Sequence, residues 1–466
     1  MLSDNALLEI FDFYVGEASR EDPFTKKAIE AWQSLVHVCR RWRSVVFGSP
    51  LRLNLRLLCT AKTPARDTLD IWPALPLVIQ REGDYPSESV DNVIAVLERS
   101  NRVCQIILMQ IRSSHLEKAL EAMQVPFPQL TRLRLDPYDE TVPVLPDSFL
   151  GGSAPRLRLI RLDRISFPGL PKLLLSATHL VHLQLRGIPH SGYISPEVMA
   201  TALSTLTSLE SLWLIFESPR SRPNQANRRP SFLARSVLPV LTKFWFKGVC
   251  EYLDELMAPI DAPRLSLLSV TFFNQIVFET PQFIQFISRT PKFKEFERAH
   301  VGFADHGATV KLSSQTPGHR VLNVKIPCRD LDWQVSSLEQ ICTSCLPPLS
   351  MLENLYIYKA PYPAPDWQDN IEKTLWLELL HPFTTVKNLY LSEELAPRIV
   401  LALQELVGDR STEVLPTLQN IFLEGLQLSG PIKEGIGQFV AARQVTSHHI
   451  AVSRWDNSWQ DKFQDG

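Results

Sequence analysis

The chain has few of the features by which a sequence declares a secreted, membrane-bound or catalytic protein. Only 7 of its 466 residues are cysteine. That odd number, without regular spacing, argues against a disulfide framework and for a reducing compartment, cytoplasm or nucleus. Neither sign of charge dominates. The 48 Lys and Arg against 50 Asp and Glu leave a net charge of -2, which excludes a globally basic nucleic-acid binder. Long apolar runs are missing as well: stretches such as Val103 to Ile111 reach about half the length of a bilayer span. The first residues do not read as a secretory leader, because Asp4, Glu9 and Asp12 interrupt the apolar run there.

Catalytic signatures are absent too. There is no G-x-S-x-G, no G-x-x-x-x-G-K-S/T, no H-E-x-x-H and no G-x-G-x-x-G between a strand and a helix. The single C-x-x-C, Cys342 and Cys345, lacks a second pair or a flanking histidine. It reads as two thiols on a buried helix rather than a metal or redox site. No catalytic residue, metal or cofactor is expected.

What is present comes in two textures. Within residues 1–50, Trp32, Leu35, Cys39, Trp42 and Val46 recur at steps of three and four, which predicts one stripe along a helix running to Phe47. Before it, Leu2 to Val15 reads as a helix. Leu7, Leu8, Phe11, Tyr14 and Val15 share one side, with Ala6, Ile10 and Phe13 beside them. A helix this apolar needs cover on more than one side, so a partner is implied. Asp22-Pro23 offers a cap and a first-turn proline for a further helix, and Gly48-Ser49-Pro50 closes the unit.

L-S-D-x-x-L-L-E-I-F from Leu2, followed by V-C-R-R-W-R from Val38, resembles the F-box family, whose pattern is L-P-x-x-x-L-x-x-I-F and V-C-+-x-W. F-box helices dock into a groove on the Skp-type adaptor of a cullin-based ubiquitin ligase. The resemblance therefore implies adaptor contact, or closure of the domain's own core, for Leu2, Leu7, Leu8, Ile10, Phe11, Leu35, Val38, Cys39 and Trp42. Hot-spot logic favours Leu8, Phe11 and Trp42 as anchors. Ser3 stands where the family carries proline, and serine can start a helix with its side chain. Arg40, Arg41, Arg43, Arg52, Arg56, Lys62 and Arg66 make residues 37–66 a basic zone without acid, either steering toward an acidic adaptor or forming a solvated rim.

From Leu51 onward L-x-x-L-x-L stretches recur. Leu130-x-x-Leu133-x-Leu135, Leu157-x-x-Ile160-x-Leu162, Leu180-x-x-Leu183-x-Leu185 and Leu209-x-x-Leu212-x-Leu214 fit cleanly. Looser units follow at Leu241, Leu265, Phe293, Leu352, Val386 and Leu418, and a degenerate one at Leu322 sits in the one double-length gap. Starts lie roughly 23 to 34 residues apart, near the spacing of leucine-rich repeats. Helical periods alternate with them, and prolines as in Ala154-Pro155 and Ala262-Pro263 suit the turns before the strands.

The expected architecture is thus α/β. A helical F-box-like head at 1–50 precedes an irregular leucine-rich-repeat-like solenoid at 51–446, with parallel strands on the concave face and helices outside, then a cap and tail at 447–466. Period two places Arg134, Arg161, Gln184, Trp213, Trp245, Ser269, Glu297, Asn323, Tyr356, Tyr390 and Phe422 on the open strand face, with Asn354, Asn388 and Asn420 two residues earlier. Arg, Trp and Tyr are hot-spot residues, so Arg134, Arg161, Trp213, Trp245, Tyr356, Tyr390 and Phe422 are the candidate substrate contacts. Alternatively, the aromatic rings stack along the sheet and stabilise it. The arginine-rich stretch 218–231 is expected to be a solvated excursion.

The expected function is that of a non-catalytic substrate receptor. Its partners would be the Skp-type adaptor, cullin through that adaptor, and a protein substrate, with neither nucleic acid nor membrane. The alternative is an interaction scaffold that keeps the head only as a structural cap.

Overall fold

In L-x-x-L-x-L the last two apolar residues are two apart, so in a strand they share one face. The first lies in the turn before it. The computed structural model describes residues 2–18, 25–60, 69–82, 88–221, 235–273, 278–314, 320–347, 349, 351–360, 372–406, 410, 412–425, 431–445 and 448–455. Leu130, Leu133 and Leu135 are all fully buried, as are Leu180, Leu183 and Leu185. Each contributes ~1.5–3 kcal/mol of burial. The turns repeat as well. The N–H of Leu130 donates to Phe127 O, Leu157 to Ala154 O, Leu265 to Ala262 O and Leu418 to Leu415 O, each at 3.1 Å. Pro128, Pro155, Pro263 and Pro416 occupy the second turn position, where a fixed φ suits a β-turn.

The chain is α/β and divides into two compact units, Met1–Ile194 with Thr201–Leu209, and Ser195–Ala200 with Glu210–Gly466. The first begins with α1 (Asp4–Ala18), α2 (Lys26–Ile29), α3 (Trp32–Val36) and α4 (Arg40–Phe47). Ser3 Oγ accepts from Ala6 N at 3.2 Å and so starts α1. The helix predicted to run unbroken from Trp32 to Phe47 is two helices. Cys39 is extended, at φ -158° and ψ 169°, and its sulfur accepts from Trp42 N at the start of α4. A thiol at an N-cap satisfies one of the donors that a helix start leaves open, which ends the stripe at Val36 and restarts it at Arg40.

The head packs on the first strands. Trp32 is fully buried, donates Nε1 to Arg56 O at 2.9 Å and meets Trp72 edge-on at 5.1 Å. Ile29 joins Leu58 and Val78 in one cluster, so the boundary expected at residue 50 is crossed by core packing. Six strands follow in spatial order, all parallel: β1 (Leu57–Thr60), β2 (Leu77–Glu82), β3 (Val103–Ile111), β4 (Arg132–Pro137), β5 (Leu159–Asp163) and β6 (His182–Ile188). Between them lie α5 (Glu88–Leu97), α6 (Ser113–Ala122) and α7 (Leu170–Ser176). The helix α8 (Pro196–Ser204) is divided between the two units.

The second unit contains β7 (Ser211–Phe216), β8 (Ser236–Val237), β9 (Lys243–Gly248), β10 (Ile260–Asp261), β11 (Leu267–Phe272), β12 (Arg298–Ala304), β13 (Gly307–Ser313), β14 (Val321–Ile326), β15 (Asn354–Lys359), β16 (Asn388–Leu391), β17 (Asn420–Glu424) and β18 (Ala451–Trp455). Its helices are α9 (Cys250–Met257), α10 (Pro281–Arg289), α11 (Leu331–Ser344), α12 (Lys373–Leu380), α13 (Ala396–Leu403) and α14 (Pro431–Val445). Here the consecutive order breaks. Its sheet runs β7-β9-β11-β14-β13-β12-β15-β16-β17-β18, with β13 antiparallel to both neighbours; β8 and β10 form a separate two-strand pair.

The unit expected at Phe293 is therefore not a strand. Phe293 lies in a 3-10 turn, stacked on Phe296 at 5.8 Å, and the strand that follows puts His300, not Glu297, on the open face. Alternation of Ala299, Val301 and Phe303, then of Ala308, Val310 and Leu312, across Asp305-His306-Gly307 is the hairpin signal.

At that hairpin a Cβ on Gly307 would sit 2.4 Å from Ile326 O, while one on exposed, helical Gly437 meets nothing within 4 Å. Gly307→Ala is expected to cost more than ~2 kcal/mol, and Gly437→Ala to gain ~0.5–1 kcal/mol. Urea unfolding midpoints of the two variants check both signs.

Candidate functional site

The nine head residues singled out by motif fall into two sets. Leu7, Phe11 and Leu35 are buried, and Phe11 meets Trp42 at 4.8 Å between centroids. Leu8 and Trp42 are half-buried, whereas Leu2, Ile10, Val38 and Cys39 are exposed. Phe13, at 65% exposure, and Tyr14 stand beside Ile10 on α1 at the spacing of one helical stripe. The outward apolar surface of the head is thus Leu2, Ile10, Phe13, Tyr14 and Val38.

Much of the basic zone is engaged inside the head. Arg41 pairs with Asp4 at 2.8 Å, Arg52 with Glu9 at 2.5 Å, and Arg43 Nε donates to Val36 O at 3.1 Å. These bonds tie α4 and the segment after it to α1 and α3. The two ion pairs are solvent-exposed, and each contributes ~0.2–1 kcal/mol at most. Lys62 and Arg66 lie outside the described residues, as do residues 222–231 of the arginine-rich stretch and everything beyond Trp455.

On the open strand face of the first unit, Arg134 and Arg161 are in register, followed by Gln184. Acids lie among the arginines here: Arg161 pairs with Asp163 at 2.6 Å, and Arg164 lies 3.6 Å from Asp136. Burial, with Asp163 beside it, pushes the Asp136 carboxyl up. Burial, and then Arg161, pulls the Arg186 guanidinium down. Both directions signal charges crowded into a partly dry surface.

On the open face of the second unit the register runs Trp213, Trp245, Ser269, Asn323, Lys311, His300, Tyr356, Tyr390, Phe422. The indoles of Trp213 and Trp245 stack at 4.1 Å. Further along, His300 stacks on Tyr356 at 4.5 Å, Tyr356 on Tyr390 at 4.2 Å and Tyr390 on Phe422 at 4.5 Å, all within 11° of parallel. Trp455 reaches within 5.9 Å of Tyr356 and 5.5 Å of Tyr390.

Both faces of Tyr356 are therefore occupied. It is 7% exposed, and burial pushes its hydroxyl up to about 12. Beneath this stack, Asn388 Nδ2 donates to Asn354 Oδ1 at 2.9 Å and Asn420 Nδ2 to Asn388 Oδ1 at 2.7 Å. The ring ladder and the amide ladder stabilise neighbouring strands. Among the strand-face aromatics, Trp213, Trp245, Tyr390 and Phe422 are half-exposed.

Cys342 and Cys345 are buried at the end of α11, with their thiols held above the ordinary range by burial, which keeps them protonated and weakly nucleophilic. Among the described residues no three His, Cys, Asp or Glu side chains gather as a metal cage. A scan against family models finds no match, and a search of curated proteins finds none.

His300, unremarked in the sequence, carries a pH dependence. Burial, helped by Lys311 and Arg298, pulls its imidazole from 6.5 down to about 3. Between those values the unfolded chain binds a proton that the folded chain excludes, so stability falls as pH drops through the window, by ~1.4 kcal/mol per pH unit. His300→Phe keeps a ring in the stack and removes this slope. Between about pH 7 and about pH 5, urea midpoints are expected to show wild type losing ~2 kcal/mol more than the variant.

Proposed function

We propose that the chain is the substrate-receptor subunit of a cullin-based ubiquitin ligase, an F-box-like head followed by an irregular leucine-rich-repeat-like solenoid. The observation that carries this reading is the coincidence of motif and exposure in the head. Leu2, Ile10 and Val38 occupy F-box motif positions and are 56%, 49% and 58% exposed, and Phe13 extends the same apolar surface. Large apolar side chains held outward on a head that buries Leu7, Phe11, Trp32 and Leu35 in its own core fit a docking role. The large anchors divide: Phe11 closes the head, while Leu8 and Trp42 present part of their surface. In this reading the head binds the Skp-type adaptor, and protein substrate meets the open strand face of the first unit at Arg134 and Arg161 and that of the second at Trp213, Trp245 and the outward edges of Tyr390 and Phe422. Ubiquitin transfer follows from proximity, and this chain performs no chemistry itself.

The recurring turn and the parallel register of the regular units support the repeat reading; β12 to β14 interrupt it. Among the described residues no helix is long and apolar enough to cross a membrane. The scaffold reading draws on a different observation, the packing of Ile29 on Leu58 and Val78, which makes the head a cap for the first strands.

Capture of a purified Skp-type adaptor tests the choice. Ile10→Lys and Val38→Lys change exposed positions and leave Phe11 and Trp32 in place. Each is expected to weaken capture at least roughly tenfold with an unchanged circular dichroism spectrum. A folded wild-type chain that captures no adaptor favours the scaffold.

A further inference from the structure

The aromatic row of the second unit has one gap. At one level across β9, β11, β14 and β13 the open-face residues are Trp245, Ser269, Asn323 and Lys311. Trp213 covers one face of Trp245. Toward the other face, the next two positions carry only a hydroxyl and a carboxamide. Three strand spacings, about 14 Å, separate the backbones of Trp245 and Lys311. A flat ring needs about 3.5 Å on each side, so a ring has room to stand there against the indole.

The floor of this slot is held in place: Asn323 Nδ2 donates to Ser269 Oγ at 3.3 Å, and Thr309 Oγ1 donates to Asn323 Oδ1 at 2.8 Å. The charged residues on the open face of these strands are all lysine. Lys243, Lys247, Lys325 and Lys311 share the open face, and no Asp or Glu takes an open-face position within β7, β9, β11, β14 or β13. Lys325 is exposed, and Lys247 extends over the Phe273 ring at 5.5 Å.

We propose that the slot between Trp245 and Lys311 receives the aromatic side chain of an extended acidic peptide, its ring on the Trp245 indole and its carboxylates among the lysines. The proposal rests on the receptor reading for the partner's being a protein, and it names the partner's chemistry. A single-stranded nucleic acid fits less well. Successive bases need successive aromatic platforms, and Trp213 and Trp245 are stacked directly on each other with no room for a base between them, so Trp245 offers only its face toward Ser269. One ring flanked by carboxylates needs only that face. Burial also pulls the Lys311 ammonium down, so an arriving carboxylate meets a cation with little water around it.

Fluorescence titration of the full chain tests this with a random glutamate–tyrosine copolymer, polyglutamate and polyuridylate as probes. The copolymer is expected to bind saturably, and polyglutamate roughly tenfold more weakly. Ser269→Trp fills the slot and is expected to reduce copolymer affinity roughly tenfold at an unchanged melting temperature. Lys325→Glu, at an exposed position, is expected to weaken binding too, and it decides the matter where Ser269→Trp does not fold. Equal affinity for the copolymer and polyglutamate, tighter binding of polyuridylate, or unchanged affinity in the folded variants overturns the slot. Adaptor capture on the same preparations separates the two readings. Retained capture with a failed slot overturns only the slot, and copolymer binding without capture overturns the receptor reading alone.

Discussion

One hydrogen bond sets the plan of the regular repeats. The N–H of the leading leucine donates to the carbonyl three residues back, closing a turn that many of these units preset with proline. That bond drops the leucine into the core and delivers the chain to its strand in the same register each time. The next two apolar residues must then face inward and the residue between them outward. Burial and the composition of the open face are consequences of one local geometry, repeated.

The outward residues are of a different kind in each of the two units. In the first they are arginines with aspartates among them, whose charges are partly dried by their own crowding. In the second there are two runs of stacked rings, Trp213 with Trp245 and His300 through Phe422, with an amide ladder beside the longer run and a gap between the two. A self-stacked ladder stabilises the sheet but closes its own faces to a ligand; ring edges and gaps remain for recognition. The head follows a similar division of labour. Arg41, Arg43 and Arg52 bind its own acids and carbonyls, while several apolar side chains of α1 point outward.

The parts legible in the sequence were those governed by local periodicity. Leu130, Leu133 and Leu135 announce a strand because burial demands period two, and Asn354, Asn388 and Asn420 fell on one face for the same reason. The break at Cys39 was not legible, because steps of three and four survive when a helix stops at Val36 and restarts at Arg40. Phe293 and Phe296 imitated the repeat, and the small residues Ala299 and Ala308 muted the true alternation around the hairpin. Contacts made across sequence were beyond reach: Arg41 with Asp4, Trp32 with Trp72, and Trp455 over Tyr390 join segments that no local pattern relates. Within the candidate site, Trp213 and Trp245 were legible by register, whereas His300 and Lys311 came into the row only through the reversed strand order.

That reversed order has a consequence for how the chain is made. In a simple repeat array each unit docks on the one synthesised before it, and the growing chain is stable wherever it stops. Here β12 leaves β11 without pairing to it, and only after β13 and β14 have turned back does the sheet close between them. A nascent chain ending anywhere between Arg298 and Val321 therefore holds strands whose neighbours do not yet exist. The stretch from β11 to β14 must assemble as one cooperative block, and the units beyond β15 have no completed edge to dock on until it does.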